Sequence, residues 1–85
     1  MRIIKTDDFS RAFKKLPKEI QHFYNVQEER FKKDSRDPRL HIKKVKTLSF
    51  ALSFRITRRY RVFFYFQNIE TAIFFEIDHR KDIYN

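Results

Sequence analysis

Apolar residues recur every three or four positions in the first part of the chain and every second position later, and the change of period falls near Pro38. Phe9, Ala12, Phe13 and Leu16 sit at i, i+3, i+4 and i+7, a single apolar stripe of a helix, while Arg11, Lys14 and Lys15 lie off it. Thr6-Asp7-Asp8 supplies an N-cap and negative charge at the helix start. Pro17 ends this helix and suits the first position of another, in which Ile20, Phe23, Tyr24, Gln27 and Phe31 keep a 3.6-residue period toward Lys33. These features predict a helical hairpin, preceded by a short strand over Met1 to Lys5 and followed by a polar loop, Asp34 to Pro38.

Beyond the loop the pattern is that of strands. In Phe50 to Ile56 the large apolar residues alternate with Ala51, Ser53 and Arg55, which predicts a half-buried strand. Tyr60 to Phe66 and Thr71 to Ile77 alternate less strictly and are rich in aromatic and β-branched residues, as central strands are. Thr57 to Arg59 and Gln67 to Glu70 are the turns, and the absence of Gly predicts loose ones. Face matching then sets a register. Pairing residue i with residue 116 − i puts Leu52 and Phe54 on the same face as Phe64 and Val62, and sets Arg55 opposite Arg61 on the face away from the helices. A shift of one residue buries the Arg61 guanidinium in an apolar layer, which is costly. Two like charges side by side call for an anion, supplied either by a ligand or by Glu76 or Asp78 on the next strand. Phe64 faces the helices and is expected against Phe13 and Phe23.

Composition narrows the class. Eighty-five residues support one domain, residues 1–85, and eleven Phe residues demand a folded core. No apolar run approaches a membrane span and no signal-peptide core is visible, so a cytoplasmic protein is expected. With no Cys and three scattered His, no metal site or disulfide is expected, and zero Gly excludes phosphate-binding glycine loops. The formal net charge is +9, and its excess is concentrated: residues 30–61 hold twelve basic side chains against two acids. Such a stretch points to a polyanionic partner, with a merely solvated surface as the alternative. Within it, Lys43, Lys44, Lys46, Arg55, Arg58 and Arg59 are the candidate RNA-binding residues, although the lysine run also fits a solvated edge strand.

Element order together with Ser53-Phe54-Arg55-Ile56-Thr57, Tyr60-Arg61-Val62 and Asp78-His79-Arg80-Lys81-Asp82-Ile83-Tyr84 resembles the RelE/ParE toxin superfamily over essentially the whole chain. The resemblance implies an α+β fold, an N-terminal helical hairpin packed on a twisted antiparallel sheet. It also implies the toxin of a type II toxin–antitoxin module that cleaves messenger RNA on the ribosome, with a cognate antitoxin as partner and no cofactor. Position by position it assigns catalytic roles to four residues: Arg61 contacts the scissile phosphate, Arg80 matches a second catalytic Arg and Tyr84 the C-terminal catalytic Tyr of RelE-like members, and His79 matches the catalytic His of YoeB-like members. RelE-like members carry two Lys on the preceding strand where a gap-free match puts Leu52 and Phe54, and Lys43, Lys44 and Lys46 lie just upstream. The chemistry agrees with these residue types. Attack by a 2′-hydroxyl needs a base, cations for the charge on phosphorus, and an acid for the leaving oxygen. A solvated role for His79 and a packing role for Tyr84 stay open, as do two other functions. One is gyrase inhibition of the ParE kind; the other is a non-catalytic RNA binder.

Overall fold

The computed structural model describes residues 1–79. Strand β1 (Arg2–Lys5) leads into α1 (Asp7–Lys14), where the Thr6 hydroxyl accepts from the Phe9 N–H at 3.1 Å and caps the first turn. Asp7 and Asp8 lie at its positive end, and Arg11 and Lys14 at its negative end. Pro17 stands at the N-cap of α2 (Lys18–Lys33), one position before the expected place. A 3-10 turn over Pro38–Leu40 follows, then β2 (Lys43–Lys44), β3 (Leu52–Arg55), β4 (Tyr60–Asn68) and β5 (Thr71–His79).

The five strands form one sheet in the order β1-β5-β4-β3-β2. The β3–β4 register is the one read from face matching: Leu52 pairs with Phe64, Phe54 with Val62, and Arg55 with Arg61. The sheet is antiparallel as expected from β2 to β5, and β1 adds one parallel edge beside β5, Ile3 next to Ala72 and Ile4 next to Ile73. The connection between them runs through the helical hairpin and strands β2 to β4, far longer than the crossover a parallel pairing needs. Local alternation reports hairpins and is blind to a pairing across almost the whole chain.

Phe9, Tyr24, Phe31, Leu40, Phe54, Val62, Phe64 and Phe74 are buried between helices and sheet. Phe64 faces the helices as expected, but its helical partner is Phe31, with ring centroids 5.1 Å apart at 86°. Phe13 packs on Phe9 and Tyr24 instead, and Phe23 is largely exposed. The buried positions of α2 are Tyr24, Gln27 and Phe31, so the sheet-facing stripe runs to one side of Phe23. The buried amide of Gln27 donates to the carbonyls of Arg39 and Arg55, at 3.0 and 2.7 Å, tying α2 to the 3-10 turn and to β3. At the other end of the sheet, Lys5 lies 2.7 Å from Glu28, which also accepts from the Tyr24 hydroxyl at 2.6 Å.

Candidate functional site

The face of the sheet away from the helices gathers several of the charged candidates. Arg61 points there from β4, as the register requires, yet it is not open: it is 6% exposed. Its Nε donates to Ser53 Oγ at 2.8 Å, and its Nη2 donates to the carbonyls of His41 and Ser53. The guanidinium thus lies on the expected face but is covered there rather than open to solvent. The segment that turns through His41 into β2 lays its backbone over this end of the sheet, and the fork becomes a strut between β4, β3 and that segment. His41 adopts a left-handed conformation, φ 49°, which a non-glycine residue enters at some cost. That turn aims its carbonyl at Arg61. A buried cation is tolerable only when hydrogen-bonded in this way.

A β-bulge sets the opposite wall. Phe63 pairs with Glu76 but Phe64 pairs with Phe74, so Phe75 is the extra residue on β5. The bulge lets Phe74 face the core while both Phe75 and Glu76 face outward. It also sets Asp78 directly across from Arg61. A cleft of about 610 Å³ results, lined by Lys43, Lys44 and Lys46 on one side, Glu76 and Asp78 on the other, and Ser53, Arg61 and Phe63 on its floor. Four cations face two carboxylates. The sequence offers Glu76 and Asp78 only as neutralising groups; a bulge one residue long leaves no mark in the alternation of Phe74-Phe75-Glu76, and it is what gives them a place in the cleft.

The remaining candidates divide. Arg55 lies beside Arg61, half-buried, with its Nε lacking a hydrogen-bond partner among the described residues. Arg58 and Arg59 are exposed in the turn between β3 and β4, beyond the cleft lining. Leu52 and Phe54 face the helices, so the lysines that approach Arg61 come from β2 and its loop. His79 does not join Arg61. It pairs with Tyr60 on the helix side of the sheet and stacks on that ring at 4.2 Å and 8°, whereas Arg61 and Asp78 face the other side. Arg80 and Tyr84 lie outside the described residues. Among the described residues no group of three or more acidic or histidine side chains is placed to hold a metal ion, and no helix is long and apolar enough to cross a membrane.

No family model matches the chain, and no curated protein matches it significantly. Solved structures match it closely. A chain of the RelB-RelE antitoxin-toxin complex from Methanococcus jannaschii superposes with a TM-score of 0.74 at 26% identity, covering 96% of this chain and 95% of that one. The chain has the RelE/ParE toxin fold. The RelE/ParE toxin fold recurs in the toxin-antitoxin complex RelBE2 from Mycobacterium tuberculosis, with a TM-score of 0.66 at 27% identity over 93% of this chain and 96% of that one. It recurs again in the YoeB/ParE toxin from Agrobacterium tumefaciens, with a TM-score of 0.76 at 12% identity over 94% of this chain and 99% of that one. The basic cleft of the present chain is thus built on the outer sheet face of a RelE/ParE fold.

Proposed function

We propose that the chain is the toxin of a type II toxin–antitoxin module and a ribosome-dependent endoribonuclease, acting in the cytoplasm on messenger RNA through the cleft beside β2. The observation that carries this reading is the convergence of Lys43, Lys44 and Lys46 with two carboxylates over the buried Arg61. The lysines bind phosphates, and Arg61 adds a fixed positive charge beneath them. Glu76 or Asp78 takes the proton of the attacking 2′-hydroxyl, a role carboxylates fill in acid–base catalysis. Among the described residues of the cleft lining this reading assigns a base and cations but no separate acid for the leaving oxygen, in keeping with an enzyme that depends on the ribosome to place its substrate. The cognate antitoxin is the expected second partner, in keeping with the antitoxin-toxin complexes that share the fold.

Primer extension on messenger RNA after induction tests the reading. Cuts at fixed positions within translated codons are expected, and growth arrest with intact messenger RNA overturns it. A second reading, arrest without RNA cleavage as in a gyrase inhibitor, is favoured by the engagement of Arg61 with Ser53 and His41 and by the helix-facing Leu52 and Phe54. Intact messenger RNA together with double-strand breaks in DNA would select it.

A further inference from the structure

Next to the cleft, the outer face carries an aromatic cluster separate from the core. Phe50 meets Tyr65 at 5.8 Å, nearly edge to face, and Phe75 at 5.9 Å, while Tyr65 and Phe75 lie 5.8 Å apart. Phe63 joins cluster to cleft: it lines the cleft and its ring is 6.4 Å from Phe75. Phe75 faces outward by ordinary alternation after Phe74, and the bulge turns Glu76 to the same face beside it.

Phe50 is 61% exposed, so burial does not account for its position. It is nevertheless held. The loop that carries it is closed by hydrogen bonds from the N–H of Val45 to the Ala51 carbonyl at 3.1 Å and from the N–H of Ala51 to the Leu48 carbonyl at 3.0 Å. Two rings support it from the sheet. An aromatic ring fixed in advance but left open to solvent binds a flat ligand with little loss of conformational freedom.

The neighbours of the ring select the ligand. Lys46 stands on the same loop and Lys43 and Lys44 enter it, and all three line the cleft that Phe63 shares with the aromatic cluster, so cations and rings lie side by side on this face. Proteins that hold single-stranded nucleic acid combine these two features, cations along the backbone and rings under the bases. Resting on the RNA reading above, we propose that Phe50, supported by Tyr65 and Phe75, is a stacking platform for an unpaired base of an RNA strand whose phosphates lie along Lys43, Lys44 and Lys46. Stacking uses the π-face common to all bases, so the platform orders the strand with little choice among sequences.

Fluorescence anisotropy with the purified full chain tests this, using two short 2′-O-methyl oligoribonucleotides of equal length, one with bases and one abasic. Phe50→Ala is expected to weaken the base-bearing probe about tenfold and leave the abasic probe unchanged. Phe50→Leu should behave like Phe50→Ala, and Phe50→Trp should retain binding. Joint replacement of Lys43, Lys44 and Lys46 by Ala should weaken both probes. If Phe50→Ala affects neither probe, or both equally, the platform is overturned while the RNA reading stands. If the wild-type chain binds neither probe, the RNA reading fails and the platform falls with it.

Discussion

The Arg61 guanidinium donates through Nε to Ser53 Oγ, 2.8 Å away on the neighbouring strand, and both residues are buried. The cation beneath the cleft is therefore a structural member as well as a charge. Ser53→Ala removes the acceptor and leaves a buried donor short of one partner, a loss of about 1–3 kcal/mol. Arg61→Ala should lower the thermal midpoint further, because it also releases the His41 carbonyl. Arg61→Lys should fall between the two, since an ammonium cannot span both acceptors in the same geometry. Thermal unfolding of the three variants checks the order. Wild-type unfolding of Arg61→Ala would mean that the strut contributes nothing to the fold.

The aromatic core offers a second check. Phe31 and Phe64 meet at 5.1 Å and are fully buried, so Phe31→Ala and Phe64→Ala should each cost about 3–5 kcal/mol. Their double mutant should cost less than the sum, because each single change removes the same contact. Phe23→Ala, at an exposed position, should stay within about 0.5 kcal/mol. Denaturant unfolding of the set measures all of these. Additive losses at Phe31 and Phe64 would contradict the contact.

How far the sequence is legible can be followed residue by residue. The helices, three of the strands and the Arg55–Arg61 pairing are carried by periods of 3.6 and 2 and by the cost of burying an unpaired guanidinium, all of them local quantities. What was not legible is non-local. Parallel pairing of β1 with β5 leaves no local trace, and neither does the choice of Phe31 over Phe23 beneath the sheet. The bulge at Phe75 reverses the facing of every later residue on β5. That single insertion brings Glu76 and Asp78 into the cleft and leaves His79 on the helix side. The lysine run at 43–46 was visible as charge, but its approach to Arg61 depends on the turn at His41, a left-handed position that a chain without Gly does not advertise.

One cluster should lower stability at both ends of the pH range. Burial pushes the Glu28 carboxyl up, but hydrogen bonds from Lys5 and Tyr24 outweigh it and hold the group below its ordinary value. Burial, then the bond to Glu28, raises the Tyr24 hydroxyl well above its own ordinary value. A lowered carboxyl contributes stability that is present above its unfolded value, near 4.3, and is lost as pH falls through the folded one. A raised phenol contributes stability that is present below about 10 and is lost as pH climbs past it. Glu28→Gln should flatten the acid arm of a plot of thermal midpoint against pH, and Tyr24→Phe the alkaline arm. The Asp37 carboxyl, held at about 2 by the Arg39 side chain, should matter only in the more acidic window below its ordinary 3.8. An acid arm unchanged in Glu28→Gln and abolished in Asp37→Asn would move the cause to the 3-10 turn.

The carboxylates of the cleft separate catalysis from binding, because the two functions respond to them with opposite signs. Glu76 and Asp78 sit among the cations that attract phosphate, so each negative charge opposes an RNA ligand. Removing one as Glu76→Gln or Asp78→Asn should tighten binding to single-stranded RNA, most clearly at low salt where screening is weak. If the same carboxylate is the general base, its loss should lower ribosome-dependent cleavage by about 10²–10⁴-fold. One variant that binds more tightly and cuts far less is therefore the expected result, read by anisotropy with the RNA and by primer extension on translating ribosomes. The carboxylate that is not the base should tighten binding without slowing the cut. If both variants bind more tightly and cleavage is undiminished, neither group is the base. If no cleavage is seen even in the wild-type chain, the tighter binding alone remains, and the cleft is a site that holds RNA without cutting it.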